Sequence, residues 1–142
     1  MKSRLISLFL LFSAVMFGAF SVGAEKKEAK GKPTIVFTDY VHDFGTIHEG
    51  GKPVTTKFEF VNTGDAPLLI LKASASCGCT RPEYPKSPVQ PGKKGVIKVT
   101  YNQKGRPGEF SKTITVRTNA KEGKYKKVVL KIKGNVIPAP EK

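Results

Sequence analysis

Two cysteines and two histidines are the only thiol and imidazole side chains in 142 residues. Two cysteines are too few for a disulfide-built scaffold. Zinc wants four ligands, and no Cys-x-x-Cys or His-Cys companion is present to complete such a set. Arginine is scarce as well: Arg4, Arg81, Arg106 and Arg117 are the whole supply. Nucleic-acid binding usually shows clustered arginine and lysine with stacking aromatics, so no nucleic-acid partner is expected. Acidic residues number 11 against 25 basic ones, a formal charge of +14. No window carries a 3.6-residue period over helical length, and no long apolar run follows residue 24. Those absences argue against a helical domain and against a transmembrane segment in the mature chain.

What is present begins with an export signal. Lys2 and Arg4 precede an apolar run from Leu5 to Phe20, and Ser21, Val22, Gly23 and Ala24 offer small residues for cleavage. Residues 1–24 therefore read as a cleavable signal peptide, and a periplasmic or secreted location follows. The competing reading is a retained anchor, because Leu5 to Ala24 approaches the ~20 residues that span a bilayer. The small-residue end and the lack of a basic stop-transfer cluster favour cleavage. No cysteine follows the run, so a lipid anchor at a new N-terminal cysteine is not expected.

Cleavage after Ala24 leaves 118 residues at +12, one domain's worth of chain with a small core. Residues 25–32, EKKEAKGK, read as a charged flexible tether. Residues 33–137 form the folded domain, and 138–142 a polar, proline-broken tail. The lysines are spread along the whole mature chain. They suit a surface for anionic glycan, lipid headgroups or nucleic acid, or simply solvated strand faces and protected edges. The scarcity of arginine favours the second reading.

The folded part alternates with period two. Val54, Thr56, Phe58 and Phe60 share one face; so do Ile97, Val99 and Tyr101. Phe110, Ile114, Val116 and Thr118 make a third stripe, interrupted by Lys112, and Val128, Leu130, Ile132 and Val136 a fourth. Half-buried antiparallel strands require this alternation. Thr34–Phe37, Val41–Ile47 and Leu68–Ala75 supply further strands, and Gly, Asn and Pro clusters separate them. The expected fold is all-β, an immunoglobulin-like β-sandwich of about seven to eight antiparallel strands. One segment breaks the rhythm. Cys77 to Gly95 holds Pro82, Pro85, Pro88 and Pro91 and reads as a long irregular connection with a short edge strand near Val89. A polyproline ligand is the weaker reading, because no prolines are consecutive.

The order Asp43-Phe44-Gly45-Thr46-Ile47, Phe58-Glu59-Phe60-Val61-Asn62-Thr63-Gly64, Pro67-Leu68-Leu69-Ile70, Ser76-Cys77-Gly78-Cys79-Thr80 and Pro91-Gly92 resembles one family. It is the domain of unknown function 1573, secreted and envelope proteins common in Bacteroidetes and related bacteria. The resemblance covers about Phe37 to Val136. It implies an immunoglobulin-like fold and an exported location, and it carries no established activity. Within these motifs the residues have structural readings. Phe44 anchors the core beside Asp43, and Gly45 lets the backbone bend. Asn62 bonds its own backbone in a turn where Gly64 accepts positive φ, and Pro91-Gly92 makes a tight turn. Asp43-Phe44-Gly45 also spells the kinase metal-binding triplet, but the companion kinase motifs are missing.

Chemistry has one candidate seat, the pair Cys77 and Cys79. On extended backbone residues i and i+2 leave the same face, and Gly78 supplies the freedom a very small disulfide ring needs. Such a ring would be readily reduced and would stabilise little. Two thiolates could instead hold Cu(I), aided by His42 or His48, or the pair could be purely structural. Thr80, Arg81, Glu83 and Tyr84 are neighbours that could form a binding rim. No nucleophile-base-orienter set is legible, so no catalytic residue, metal or cofactor is expected. The expectation is a non-enzymatic exported module that binds an envelope protein or a glycan. The alternative is a thiol-disulfide or Cu(I)-handling protein.

Overall fold

A computed structural model describes residues 31–141. The leader over 1–24 and most of the tether over 25–32 lie outside the described residues. The tether's last residue is already fastened: Lys32 donates its backbone N–H to Asp65 Oδ1 at 2.5 Å and accepts from the Asp65 N–H at 3.2 Å.

Eight strands and one helical turn follow in chain order: β1 (Ile35–Phe37), β2 (Val41–His48), β3 (Val54–Asn62), β4 (Ile70–Ala75), β5 (Thr80–Glu83), β6 (Lys94–Tyr101), β7 (Gly108–Thr118), α1 (Gly123–Lys126) and β8 (Lys127–Ile137). They form two four-stranded sheets, ordered β1-β3-β6-β5 and β2-β8-β7-β4. The period-two stripes become their inner faces. Phe58, Phe60, Ile97, Val99 and Tyr101 meet Ile114, Val116, Leu130 and Ile132 across the sandwich, all buried. Each such side chain contributes roughly 1.5–3 kcal/mol on leaving water. Tyr101 stacks on Phe110 with ring centres 4.1 Å apart, 16° from parallel, and burial pushes its phenol pKa up.

The antiparallel expectation holds for every strand pairing but one. β2 runs parallel to β8, with Val41 opposite Lys131 and Ile47 opposite Val136. The first strand of this sheet therefore lies beside the last strand of the chain, a pairing that no local pattern encodes. The proline-rich segment also departs from its sequence reading. Its strand is β5, which contains Pro82 and pairs only with β6. Proline is tolerated there because an edge strand has one side with no ladder to feed. Val89 makes a single bridge to Leu68 instead of a strand.

Candidate functional site

The cysteine pair sits where the chain changes sheets. β4 is an edge of one sheet and β5 an edge of the other, and only Ser76–Cys79 connect them. The connection is a turn, so the extended backbone expected at the pair is not found. The Cα atoms of Cys77 and Cys79 stand 5.3 Å apart and a disulfide joins the side chains. An extended pair at i and i+2 would span nearly 7 Å. Cys79 is buried within the core, and Cys77 is half-buried against it. Cys79 N–H donates to Cys77 Sγ at 3.2 Å, and Thr80 Oγ1 lies 3.7 Å from Cys79 Sγ. From the next connection, Asn102 N–H reaches Cys79 O at 2.8 Å. The corner is thus fastened on both sides.

The four rim candidates do not assemble as one surface. Thr80 is buried, while Arg81 and Glu83 point outward from β5. Glu83 pairs with Lys98 at 3.6 Å. Tyr84 carries the Lys86 ammonium 3.4 Å above its ring centre, a cation–π contact. Together Lys57, Glu83, Tyr84, Val96 and Lys98 line a shallow depression of about 380 Å³ on the outer face of the first sheet. The histidines do not complete a copper site with the thiols. His42 and His48 lie on β2, at the edge of the second sheet opposite β4. Three strand spacings of about 4.8 Å put them roughly 14 Å away.

Asp43, Phe44 and Gly45 build a β-bulge. Gly45 has φ +65°, the left-handed region, and the register against β8 shifts between Asp43 and Thr46. Asp43 Oδ1 accepts the Gly45 N–H at 2.8 Å, and its other oxygen stands 3.4 Å from Lys133 Nζ. The Gly45 amide, with Lys133 behind it, holds the Asp43 carboxyl below its ordinary pKa. Phe44 is half-buried, between His42 at 4.6 Å and Phe110 at 6.4 Å. An open groove of about 680 Å³ runs beside the bulge, lined by Asp43, Thr46, Glu109, Lys133 and Asn135. Of these only Asp43 and Thr46 stand in a sequence motif. The others join through the β7–β8 and β2–β8 registers, which leave no short-range signal.

Asn62 is more than a turn residue. It is fully buried, its amide donating to Ala66 O at 2.8 Å and Val89 O at 2.9 Å while Oδ1 accepts from Gly64 N–H at 3.0 Å. Gly64 departs from expectation, since it is not among the positive-φ glycines. Its constraint is steric. A Cβ there would run into the Lys32 carbonyl and stand 2.7 Å from Thr34 N. Pro91-Gly92 does form the expected tight turn, with Gly92 at φ +75° and Lys93 N–H donating to Gln90 O at 3.0 Å. Gln103, which sequence reading missed, is buried and bonds the carbonyls of His48 and Lys52 at 3.2 and 2.8 Å. It ties the β6–β7 connection to the β2–β3 connection.

The family described as "Protein of unknown function (DUF1573)" matches residues 35–136, from β1 almost to the end of β8. The chain belongs to this family. No curated protein matches this DUF1573 chain in sequence. Among solved structures it is similar to the ASH/PapD-like domain 7 of human CEP192, at TM-score 0.61 and 12% identity, covering 77% of this chain and 89% of that domain. It is also similar to a protein of unknown function from Porphyromonas gingivalis, at TM-score 0.60 and 13% identity over 72% of this chain and 46% of that one. The chain thus spans less than half of that protein. A third likeness is to the VesB protease of Vibrio cholerae, at TM-score 0.57 and 13% identity, over 73% of this chain and 32% of the protease. Likeness at such identity establishes the immunoglobulin-like, PapD-like sandwich. Among the described residues, no helix is long and apolar enough to cross a membrane.

Proposed function

We propose that this chain is an exported, non-enzymatic binding module of the bacterial cell envelope, whose partner is an envelope protein or a glycan. The observation that carries the reading is the use made of the cysteines. The only two thiols in the chain are joined to each other at the corner between sheets, with Cys79 packed into the core. Joined to each other, the thiols are occupied at a structural corner, and the outer faces of the sandwich are left for recognition. The leader read from residues 1–24 supports export, and an oxidising compartment suits the disulfide.

Cross-linking in intact cells, followed by capture of the wild-type chain and of Cys77→Ser/Cys79→Ser, tests this. Both should be exported, with the mature chain starting at Glu25, and both should retain the same cross-linked partner. Failure of a folded double variant to hold that partner would move the function to the thiols. One feature favours that thiol reading: Cys77 is only half-buried beside the exposed Gly78. Alkylation before and after mild reductant, with and without Cu(I), separates the two. Thiols that stay blocked in the native protein and take up no copper remove the redox and copper alternative.

A further inference from the structure

The outer face of the β2-β8-β7-β4 sheet carries a charge pattern that the fold does not need. Lys72 on β4, Arg117 on β7 and Lys127 on β8 are direct cross-strand partners. Three exposed cations therefore stand in one row across the sheet. Directly opposed side chains have Cβ atoms about 5 Å apart, and like charges so placed are destabilising. Lys131 stands further along β8, between Val41 and Thr113. The row between holds Ser74 opposite Thr115, with Val129 beyond, and in the Lys131 row Ser76 Oγ accepts the Thr113 N–H.

Three further observations sharpen the pattern. Among the described residues, no carboxylate pairs with Lys72, Arg117, Lys127 or Lys131; the ion pairs are Lys32–Glu122, Lys98–Glu83 and Lys133–Asp43. The acids of this face, Asp43 and Glu109, gather instead at the other end, beside Lys133. Edge protection does not account for the row, because β7 and β8 are interior strands. The opposite sheet is different. There Lys57, Lys98 and Glu83 share a row that mixes signs.

We infer that the Lys72–Arg117–Lys127 row and its flanking hydroxyls are a docking surface for an acidic polysaccharide. Carboxylates of the polymer neutralise the cations, and sugar hydroxyls meet Ser74, Ser76 and Thr115. Charge complementarity selects a polyanion. The face carries no aromatic side chain on which bases could stack, which disfavours single-stranded nucleic acid. Its exposed aliphatics, Val41, Leu71 and Val129, lie on three different strands among cations and hydroxyls, and three single side chains are too few to seat in a lipid layer. The inference rests on the binding-module reading and names the partner chemistry and the face.

The test titrates the mature chain with polygalacturonate, and with neutral dextran, phosphatidylglycerol vesicles and a mixed-sequence oligonucleotide as competitors for the assignment. Arg117→Gln/Lys127→Gln is compared with Lys57→Gln/Lys94→Gln, which removes the same charge from the opposite sheet. The first pair should raise the Kd for polygalacturonate roughly tenfold and flatten its salt dependence, while the second changes it less than about twofold. Dextran should not bind. Equal losses from both pairs, no binding of polygalacturonate, or tighter binding to the vesicles or oligonucleotide would each overturn the inference. Folding is checked by melting, where the Arg117→Gln/Lys127→Gln variant should match or exceed wild type because the like-charge repulsion in the row has been removed. Should polygalacturonate fail while cross-linking still captures an envelope partner, this inference falls and the binding-module reading stands.

Discussion

Asn62→Ala should be among the most damaging polar truncations in the domain. The Asn62 amide bridges the carbonyls of Ala66 and Val89 in buried bonds, and Oδ1 of the wholly buried side chain holds the N–H of the half-buried Gly64. Truncation removes three good hydrogen bonds at about 1 kcal/mol each. Val89 O keeps the Leu68 N–H, but Ala66 O and Gly64 N lose the partner that Asn62 supplied. A loss of about 3 kcal/mol is expected, which lowers the melting temperature of a domain near 100 residues by roughly 12 °C. Asn119 provides the internal control. It makes a similar pair of backbone bonds, to Leu69 N–H at 2.9 Å and Pro67 O at 3.1 Å, but is exposed. Water replaces those bonds, so Asn119→Ala should cost under about 1 kcal/mol. Thermal unfolding followed by circular dichroism reads both. Equal shifts for the two variants would refute the argument that burial, and not bond number, sets the cost.

Gly64→Ala and Gly45→Ala should separate two kinds of glycine requirement. The first drives a methyl into backbone and should cost about 2–3 kcal/mol; the second meets nothing within 4 Å and pays only for φ +65°, about 1 kcal/mol, so urea midpoints in the reverse order would contradict the geometry. Cys77→Ala/Cys79→Ala should lose under roughly 2 kcal/mol in urea, because so small a ring constrains the unfolded chain little; a chain that no longer folds would contradict this. Asp43 has a folded-state pKa below its unfolded one, so it stabilises the fold above the unfolded value and loses that contribution as pH falls through the folded value. A carboxyl titration by NMR should therefore place Asp43 below an ordinary aspartate, and Asp43→Asn should flatten the acid limb of stability; a midpoint at or above the ordinary value would contradict it.

The inner faces were legible because burial imposes a period that a single strand displays. Phe58 and Phe60, or Leu130 and Ile132, announce the core without reference to any partner. The Asp43-Phe44-Gly45 bulge was legible in part, through its glycine. What the sequence could not show is lateral. The parallel neighbour of β2 lies nearly ninety positions away, and the cation row exists only once Lys72, Arg117 and Lys127 are brought into register. Each of those residues, read along its own strand, is an ordinary outward side chain. Cys77 and Cys79 open the segment whose prolines suggest one long irregular connection; the crossover between sheets is confined to Ser76–Cys79, because the residues after it contribute an edge strand. Proline content argued for irregularity and could not reveal that one side of that strand needs no donors.

The parallel pairing of β2 with β8 has a mechanical consequence. The chain enters β2 at one end of the sandwich and leaves β8 at the other. Tension that reaches the start of β2 and the end of β8 therefore slides these strands past each other lengthwise. Hydrogen bonds loaded in that direction bear force together, whereas a hairpin pulled from its open end yields one bond at a time. On the N-terminal side the Lys32–Asp65 bonds and the β1–β3 pairing meet load first; the β2–β8 joint behind them is the collective one, with the Gly45 bulge as the place where it is interrupted.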